Sequence, residues 1–385
     1  MKILHIITNL SRAGAEMMLY KLLSQMNREE FAHVVISLTG YGYLAERIAT
    51  LGVPVFAVGM RPSMGFCTSL WRLMRLARQA EPDLVQGWQY HGNLAAQLVR
   101  GCLQSKVPVI WNVRHSVYNL ADERRGTALV IKLGARLSRK AERVIYVART
   151  SALQHEALGY DASKGIVIPN GFDTEQFAPS EEARYQLRTE LGLPSSALVI
   201  GSIARYHPVK DHHTFLAAAA ALFQSHPGVH FVLVGEHLDR TNVPLTRVIE
   251  SLGLGANIHL LGERADIPRI TAALDIAVSS SYGEGFSNVI GEAMACGIPC
   301  VVTDVGDSAF LVGEAGRVIP PRNPQALTAA WAELIEMGRD ARTMLGLRAR
   351  QRIQENFSLP TIAARYAQLY RDIGVKSLGL SGRPT

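Results

Sequence analysis

Short apolar runs rich in β-branched residues alternate with helical stretches from one end of the chain to the other. Strands that are apolar along their whole length are typical of parallel sheets, because helices cover both faces of such a sheet. The predicted strands are Lys2–Thr8, His33–Leu38, Val53–Val58, Leu84–Gly87, Val109–Val113, Arg143–Val147, Gly165–Ile168, Leu198–Ile203, His230–Val234, Ile258–Leu261, Ile276–Ser279, Pro299–Thr303 and Arg317–Ile319. Thirteen strands are more than one sheet comfortably holds, so the alternation predicts an α/β protein with two Rossmann-like, doubly wound domains.

The boundary between the two predicted domains falls within Pro169–Ser196, which supplies an extended turn, one helix and a Pro/Ser hinge. We predict a first domain over residues 1–172, a linker over 173–196 and a second domain over 197–356. Two sheets whose carboxyl edges face each other would form a cleft for a ligand. A last helix is expected over about 357–375, followed by a flexible tail over 376–385.

The composition indicates which kind of binding partner and which cellular compartment to expect. The formal charge is +7, but the basic residues form no dense stripe interleaved with aromatics, so nucleic-acid binding is not expected. An anionic substrate or membrane surface fits better. Four cysteines in 385 residues make no disulfide framework, which favours the reducing cytoplasm. No signal peptide is visible, and the longest apolar run, Phe215–Phe223, is far shorter than the roughly 20 residues of a membrane span. We therefore expect a cytoplasmic protein, attached to the membrane face peripherally at most.

The stretch Ser279–Asp304 carries the strongest chemical signal: a strand end, a Gly-rich loop, a short helix and a second strand. Glu284 lies in the loop, and Glu292 lies about one turn into the helix. Ser287 is a plausible N-cap, and Gly297 a plausible helix stop. A helix that begins from such a loop offers backbone N–H groups to an anion, so two nearby carboxylates suggest a ligand with phosphate and vicinal hydroxyls, such as a nucleotide sugar. The alternative is that both carboxylates are merely solvated.

Basic and histidine side chains follow the predicted strand Leu198–Ile203. Arg205 and Lys210 lie on either side of a proline, where a guanidinium and an ammonium would bind a diphosphate. His207, His212 and His213 resemble a metal cluster, but their spacing supports no metal site, and none is expected.

Two positions of the first half stand at strand ends. Gly14 precedes the first predicted helix without a G-x-G-x-x-G pattern, so it marks either a close approach to a phosphate or an ordinary tight turn. His115 follows the strand Val109–Val113, where a lone histidine is more often structural than functional. Two basic amphipathic helices are predicted, over Thr68–Gln79 and Arg124–Arg143. Their basic faces are either simply solvated, or they contact anionic lipid or a pyrophosphate-linked acceptor.

Taken together, these features resemble a retaining glycosyltransferase of family 4 with the GT-B fold, and the resemblance covers nearly the whole chain. It rests on motifs at Ala13–Glu16, Asn170–Asp173 with Phe177, Arg205–Lys210 and Gly283–Asp304. The first loop departs from the family, which often has two adjacent glycines where this chain has Ala13 and Gly14.

The resemblance implies that the first domain binds the acceptor and the second domain binds a UDP- or GDP-linked sugar. It also implies that the last helix, about 357–375, crosses back onto the first domain. Arg205 and Lys210 would neutralise the donor diphosphate, Glu292 would bind the ribose, Glu284 the transferred sugar, and His115 would lie near the anomeric centre. The further donor contacts implied are Gly14, Glu263, Arg264, Gly285, Phe286, Ser287 and Asn288. No cofactor or metal is implied, because fixed cations and helix N–H groups stabilise the leaving diphosphate. The implied acceptor is a glycan or lipid-linked glycan of bacterial cell-surface polysaccharide synthesis.

Other functions stay open at this point. A GT-B epimerase would release nucleotide and an altered sugar without any acceptor. A pyridoxal-dependent GT-B phosphorylase would need a suitably placed Schiff-base lysine, and the lysines of this chain give no clear candidate. A nicotinamide-dependent oxidoreductase is disfavoured by the missing glycine fingerprint. A non-catalytic partner that binds sugar or membrane is disfavoured because Arg205, Lys210, Glu284 and Glu292 are all present.

Overall fold

The computed structural model describes residues 1–60, 65–103 and 107–377. The chain folds into two compact units: Met1–Gly171 together with Leu359–Thr385, and Phe172–Ser358. The expected tail over 376–385 lies outside the described residues, apart from its first two residues, which belong to the last helix. In the described part of the chain, no helix is both long and apolar enough to cross a membrane.

The first unit contains a seven-stranded parallel sheet with the strand order β3-β2-β1-β4-β5-β6-β7. Its strands are β1 (Lys2–Ile7), β2 (Ala32–Ser37), β3 (Val55–Ala57), β4 (Leu84–Trp88), β5 (Val109–Val113), β6 (Arg143–Tyr146) and β7 (Gly165–Val167). Its helices are α1 (Gly14–Gln25), α2 (Leu44–Thr50), α3 (Phe66–Ala80), α4 (Gln89–Arg100), α5 (Arg125–Leu137) and α6 (Arg149–Ala157), with α15 (Leu359–Ser377) from the end of the chain.

Helices cover both faces of this sheet, as the apolar strands require. Alternate residues of β1 enter two separate cores, Leu4 and Ile6 on one face and Ile3 and Ile7 on the other. The last helix, α15, belongs to the second of these cores.

The second unit contains a six-stranded parallel sheet with the order β10-β9-β8-β11-β12-β13. Its strands are β8 (Leu198–Ile203), β9 (Val229–Val234), β10 (Ile258–Leu260), β11 (Ile276–Ser279), β12 (Cys300–Thr303) and β13 (Gly316–Ile319). Its helices are α7 (Glu181–Glu190), α8 (His212–Ser225), α9 (Val243–Ser251), α10 (Ile267–Ala272), α11 (Asn288–Ala295), α12 (Ser308–Val312), α13 (Pro324–Glu336) and α14 (Gly338–Asn356). The predicted fold class, two doubly wound parallel-sheet domains, is confirmed.

The stretch 173–196, predicted as a linker, lies inside the second unit. Its helix α7 is anchored there by Arg188, which is 2% exposed. The Arg188 guanidinium donates to the Ala197 carbonyl and, at 2.6 Å, to the Asp275 carboxylate. A buried, fully bonded arginine of this kind fixes the helix on the unit.

Candidate functional site

Lys210 and Glu284 form an ion pair in the second unit. Lys210 ends a short 3-10 turn after β8, and Glu284 lies in the loop after β11, the strand that neighbours β8. The Lys210 Nζ lies 2.5 Å from Glu284 Oε1, with 23% and 13% of the side chains exposed. Two residues 74 positions apart therefore meet at the carboxyl edge of the sheet, where open α/β sheets bind ligands.

Hydroxyl groups hold this ion pair in place. Ser281 Oγ donates to Glu284 Oε1 at 2.8 Å, and Ser280 Oγ donates to the Lys210 carbonyl at 2.9 Å. Thr303, at the end of β12, donates to the Ser281 carbonyl at 2.5 Å. The sequence alone predicted no role for these three residues. The signal was the serine run directly after a buried strand.

The loop 285–288 leads into α11 without a side-chain cap. Ser287 occupies the N-cap position as predicted, but its hydroxyl makes no capping bond. That Oγ is buried, with Ser287 3% exposed, and no partner for it is present among the described residues. Ser287 therefore does not cap the first turn of α11, and a helix N-terminus is a position where backbone N–H groups bind anions. The helix ends as expected, with Gly297 at φ +72° directly after the C-cap.

A second loop packs closely against this one. Gly306 has φ +58°, and a Cβ there would lie 2.6 Å from the Gly285 carbonyl oxygen. The Asp307 N–H donates to the same carbonyl at 3.0 Å. Only glycine fits this approach, so the conformation of the Glu284–Gly285 backbone is fixed from outside the loop.

Aromatic rings support the base of α11. Phe286 is 8% exposed and stacks on Phe172 with ring centroids 6.1 Å apart, while Phe357 lies 5.8 Å away. The Phe172 ring occupies the space that a Cβ on Gly291 would need. The Phe172 of the Asn170–Asp173 motif thus packs under the helix that carries Glu292, which lies partly buried about one turn into α11.

The remaining predicted donor residues of this unit differ in their surroundings. Arg205 is exposed, and no ion pair involves it in the described part of the chain. Glu263 is exposed beside Gly262, which has φ +64°. Arg264 instead uses its guanidinium within an ion-pair network, with Asp266 at 2.8 Å and Glu190 at 2.8 Å. Its side chain therefore links the strand-end loop to α7.

The histidines after β8 do not come together around a metal. His212 is buried, and burial lowers its pKa to about 4, with the Lys210 charge lowering it further. Over the described ranges, no three His, Cys, Asp or Glu side chains are placed to hold a metal ion.

In the first unit, Gly14 is the first residue of α1, and the N-cap Ala13 offers no side-chain cap. Glu16 in the same turn is 8% exposed, and burial raises its pKa. The first turn of α1 therefore presents N–H groups and a nearly buried carboxyl at the carboxyl end of β1.

His115 lies two residues after β5 and is fixed by its neighbours. Its Nε2 lies 2.7 Å from Glu123 Oε1, and its carbonyl accepts a 2.6 Å hydrogen bond from Ser151 Oγ. The ring of Tyr90 meets the imidazole edge-on, with centroids 6.2 Å apart. Tyr90 is itself hydrogen-bonded to the buried His155 at 2.8 Å. His115 thus keeps an exposed ring in a defined orientation.

Two family models match consecutive parts of the chain: Glycosyltransferase Family 4 over residues 12–176, and Glycosyl transferases group 1 over residues 197–337. The chain is similar to a D-inositol 3-phosphate glycosyltransferase of Corynebacterium urealyticum, 32% identical over 228 residues. That match covers 56% of this chain and 53% of the relative, so the chain spans about half the length of this relative.

A second relative, UDP-Gal:alpha-D-GlcNAc-diphosphoundecaprenol alpha-1,3-galactosyltransferase of Escherichia coli, is 29% identical over 256 residues, 63% of each chain. Among solved structures, HepE of Anabaena in complex with UDP is similar, with TM-score 0.84 and 25% identity. That similarity covers 97% of this chain and all of HepE. Because both family models match and the chain forms two parallel-sheet units, this chain belongs to the family 4 (group 1) glycosyltransferases of GT-B fold.

Proposed function

We propose that this protein transfers a sugar from a nucleoside-diphosphate sugar to a glycan or lipid-linked acceptor, with retention of configuration, in bacterial cell-surface polysaccharide synthesis. The observation that carries the proposal is the Lys210–Glu284 ion pair beside the uncapped start of α11. Lys210 supplies a cation and the start of α11 supplies backbone N–H groups, and both kinds of group bind phosphate oxygens.

The chemistry follows from the charges that develop as the sugar–phosphate bond breaks. The leaving diphosphate gains negative charge, which Lys210, Arg205 and the N–H groups of 285–288 would stabilise. Preorganised groups of this kind commonly supply the largest catalytic contribution. Glu284 would accept hydrogen bonds from the transferred sugar and Glu292 from the ribose. No step needs a metal, because the protein itself supplies the positive charge.

The first unit would hold the acceptor, with His115 close to the transferred sugar and Gly14 close to the phosphates. Residues 1–171 and 359–385 contain 25 basic and 12 acidic residues, whereas 172–358 contain 15 and 21. The charge is therefore +13 in the first unit and −6 in the second. A strongly basic unit suits an acceptor that carries phosphates, as the name of the Escherichia coli relative describes for that enzyme.

The helix α5 adds a surface suited to the cytoplasmic membrane face. Leu129 and Leu133 are 68% and 45% exposed, beside Lys132, Arg136 and Arg139. Exposed leucines flanked by cations are typical of peripheral binding to anionic lipid. This arrangement supports a lipid-linked acceptor over a small soluble one.

The test is a panel of UDP-, GDP- and ADP-sugars assayed with EDTA for thermal shift and slow nucleotide release. UDP is the first candidate, because HepE binds it in the crystal. We expect one nucleotide class to raise the melting temperature and to be hydrolysed slowly. An altered free sugar as product would indicate an epimerase instead, and no shift with any nucleotide would contradict the proposal.

A further inference from the structure

A pocket of about 140 Å³ opens on the second unit, at the edge of the sheet opposite to the candidate donor site. Asp275 and Pro299, which line it, directly precede β11 and β12, whereas Glu284 follows β11. Helix α11 (Asn288–Ala295) begins shortly after Glu284 in the chain, and Cys296 and Gly297, which follow its last residue, lie in the pocket wall. The pocket is therefore separate from the groups that would bind the donor.

Three arginines line this pocket: Arg184 on α7, and Arg339 and Arg342 on α14. Asp275, a carboxylate in the pocket lining, already accepts hydrogen bonds from two arginines. One of its oxygens accepts from Arg184. The other accepts from Arg188 at 2.6 Å and from a backbone N–H at 2.7 Å. One carboxylate, 11% exposed, is thus shared by the guanidinium groups of Arg184 and Arg188.

The pocket arginines keep unused hydrogen-bond donors. Arg342 donates only through Nη1, to the Leu334 and Ile335 carbonyls at 3.1 and 3.0 Å at the end of α13. Among the described residues, no hydrogen bond uses Nε or Nη2 of Arg342 or of Arg184, although the Arg184 side chain is only 17% exposed.

The charges around the pocket repel one another. Burial lowers the pKa of Arg342, and the nearby Arg184 and Arg339 lower it further, while Asp275 acts in the opposite direction. The only other carboxylate in the lining, Glu181, is 84% exposed and lies 3.6 Å from Arg339, a contact that contributes little. A bound anion would offset the excess positive charge.

We propose that this pocket binds a phosphate-bearing anion between Arg184, Arg339 and Arg342. The planar guanidinium groups have free donors in the geometry that phosphate oxygens accept. Leu274 and Ile298 form an apolar part of the wall, which would contact the organic part of a phosphate ester. Free phosphate compounds and the phosphate of a lipid headgroup share this chemistry.

The experiment uses the full chain with Arg205→Gln and Lys210→Gln, so that the donor site cannot account for binding. Inorganic diphosphate is titrated by calorimetry at low salt, with EDTA present. We expect saturable binding that Thr343→Glu weakens at least about tenfold, because it places a carboxylate in the pocket lining without removing an arginine. Arg348→Gln, an exposed arginine of α14 outside the lining, is the matched control and should bind normally.

The source of the phosphate is distinguished by vesicles of phosphatidylcholine with or without phosphatidic acid. Binding that needs phosphatidic acid and is lost with Thr343→Glu supports the headgroup, whereas diphosphate binding supports a free anion. Thr343 is exposed, so the variant should fold, and thermal unfolding checks this. Should it not fold, Arg339→Gln, at a residue whose side chain is 68% exposed, replaces it. If neither probe binds, or if binding is unaffected in the variant, the proposal is wrong.

Discussion

Replacing Lys210 with methionine removes the cation from the candidate donor site while keeping most of the side-chain volume. Glu284, whose side chain is 13% exposed, then loses its ion pair with Lys210 and keeps the hydrogen bond from the Ser281 hydroxyl at 2.8 Å. Breaking a fully buried ion pair costs about 3–5 kcal/mol, whereas an exposed pair contributes about 0–1 kcal/mol. With partial burial of both partners, we expect Lys210→Met to lower the free energy of unfolding by about 2 kcal/mol.

The same pair can be tested by a double-mutant cycle. Glu284→Gln keeps a hydrogen-bonding amide and should cost less, about 1 kcal/mol, since charge-assisted bonds contribute about 1.5–3 kcal/mol and neutral ones about 1 kcal/mol. The double variant should be less destabilised than the sum of the single variants, because each single variant keeps one charge of the pair without the opposite one, whereas the double variant keeps neither charge. Urea unfolding provides the free energies. Arg247→Met, at an exposed arginine of α9, is the control and should be close to wild type.

The same substitution should also lower the transferase activity. We expect Lys210→Met to lower kcat/KM for transfer by about 10²–10³-fold, the usual effect of removing one preorganised group that stabilises developing negative charge. Two results would refute the reasoning: strictly additive destabilisation in the cycle, or wild-type kcat/KM in Lys210→Met.

Three further predictions concern α11 and the buried histidines. If Glu292 binds the ribose, Glu292→Gln should raise KM for the donor with a smaller change in kcat. Steady-state kinetics with the identified donor measures both constants, and an unchanged KM would contradict this role. Gly291→Ala should lower the free energy of unfolding by about 1–3 kcal/mol, because the added methyl overlaps the Phe172 ring. In an exposed helix, the same Gly→Ala change would instead raise the free energy of unfolding by about 1 kcal/mol. His5 and His33 form a buried pair, 3.0 Å apart, and burial lowers the pKa of His5 and brings that of His33 to about 4. The unfolded chain binds protons near pH 6.5 and the folded chain does not, so stability should fall as pH drops from about 6.5 towards 4, by about 1.4 kcal/mol per pH unit for each histidine. Urea unfolding at several pH values measures this slope, and a His33→Gln variant with an undiminished slope would contradict it.

The sheets were predictable because their residues are periodic and locally determined. Apolar runs placed β8 at Leu198–Ile203 and β11 at Ile276–Ser279, with the predicted bounds. The edge strand β3 is shorter than predicted, Val55–Ala57 against Val53–Val58. Pro54 lacks a backbone donor and lies just outside it, so only its carbonyl joins the pairing with β2.

For the candidate site, the sequence predicted which residues take part but not how they contact each other, because the contacts join distant parts of the chain. Sequence spacing placed Lys210 and Glu284 at strand ends, but the hydrogen bond between them depends on β8 and β11 being neighbours in the sheet. In the same way, the bond from Arg264 to Glu190 spans 74 residues and depends on how α7 packs. Local rules also failed at Ser287, whose N-cap position was correct and whose capping bond is absent. A cap residue that does not cap is consistent with an anion site.

The most direct test of the central claim compares the binding of a nucleoside diphosphate and the matching monophosphate, UDP and UMP first. Calorimetry with EDTA present gives the affinity of wild type, Lys210→Met and the control Arg247→Met for both ligands. If Lys210 and the start of α11 hold the donor diphosphate, wild type and control should prefer the diphosphate by at least about tenfold, one charge-assisted contact being sufficient for this. Lys210→Met should lose most of that preference. An equal preference in Lys210→Met and wild type would contradict the account.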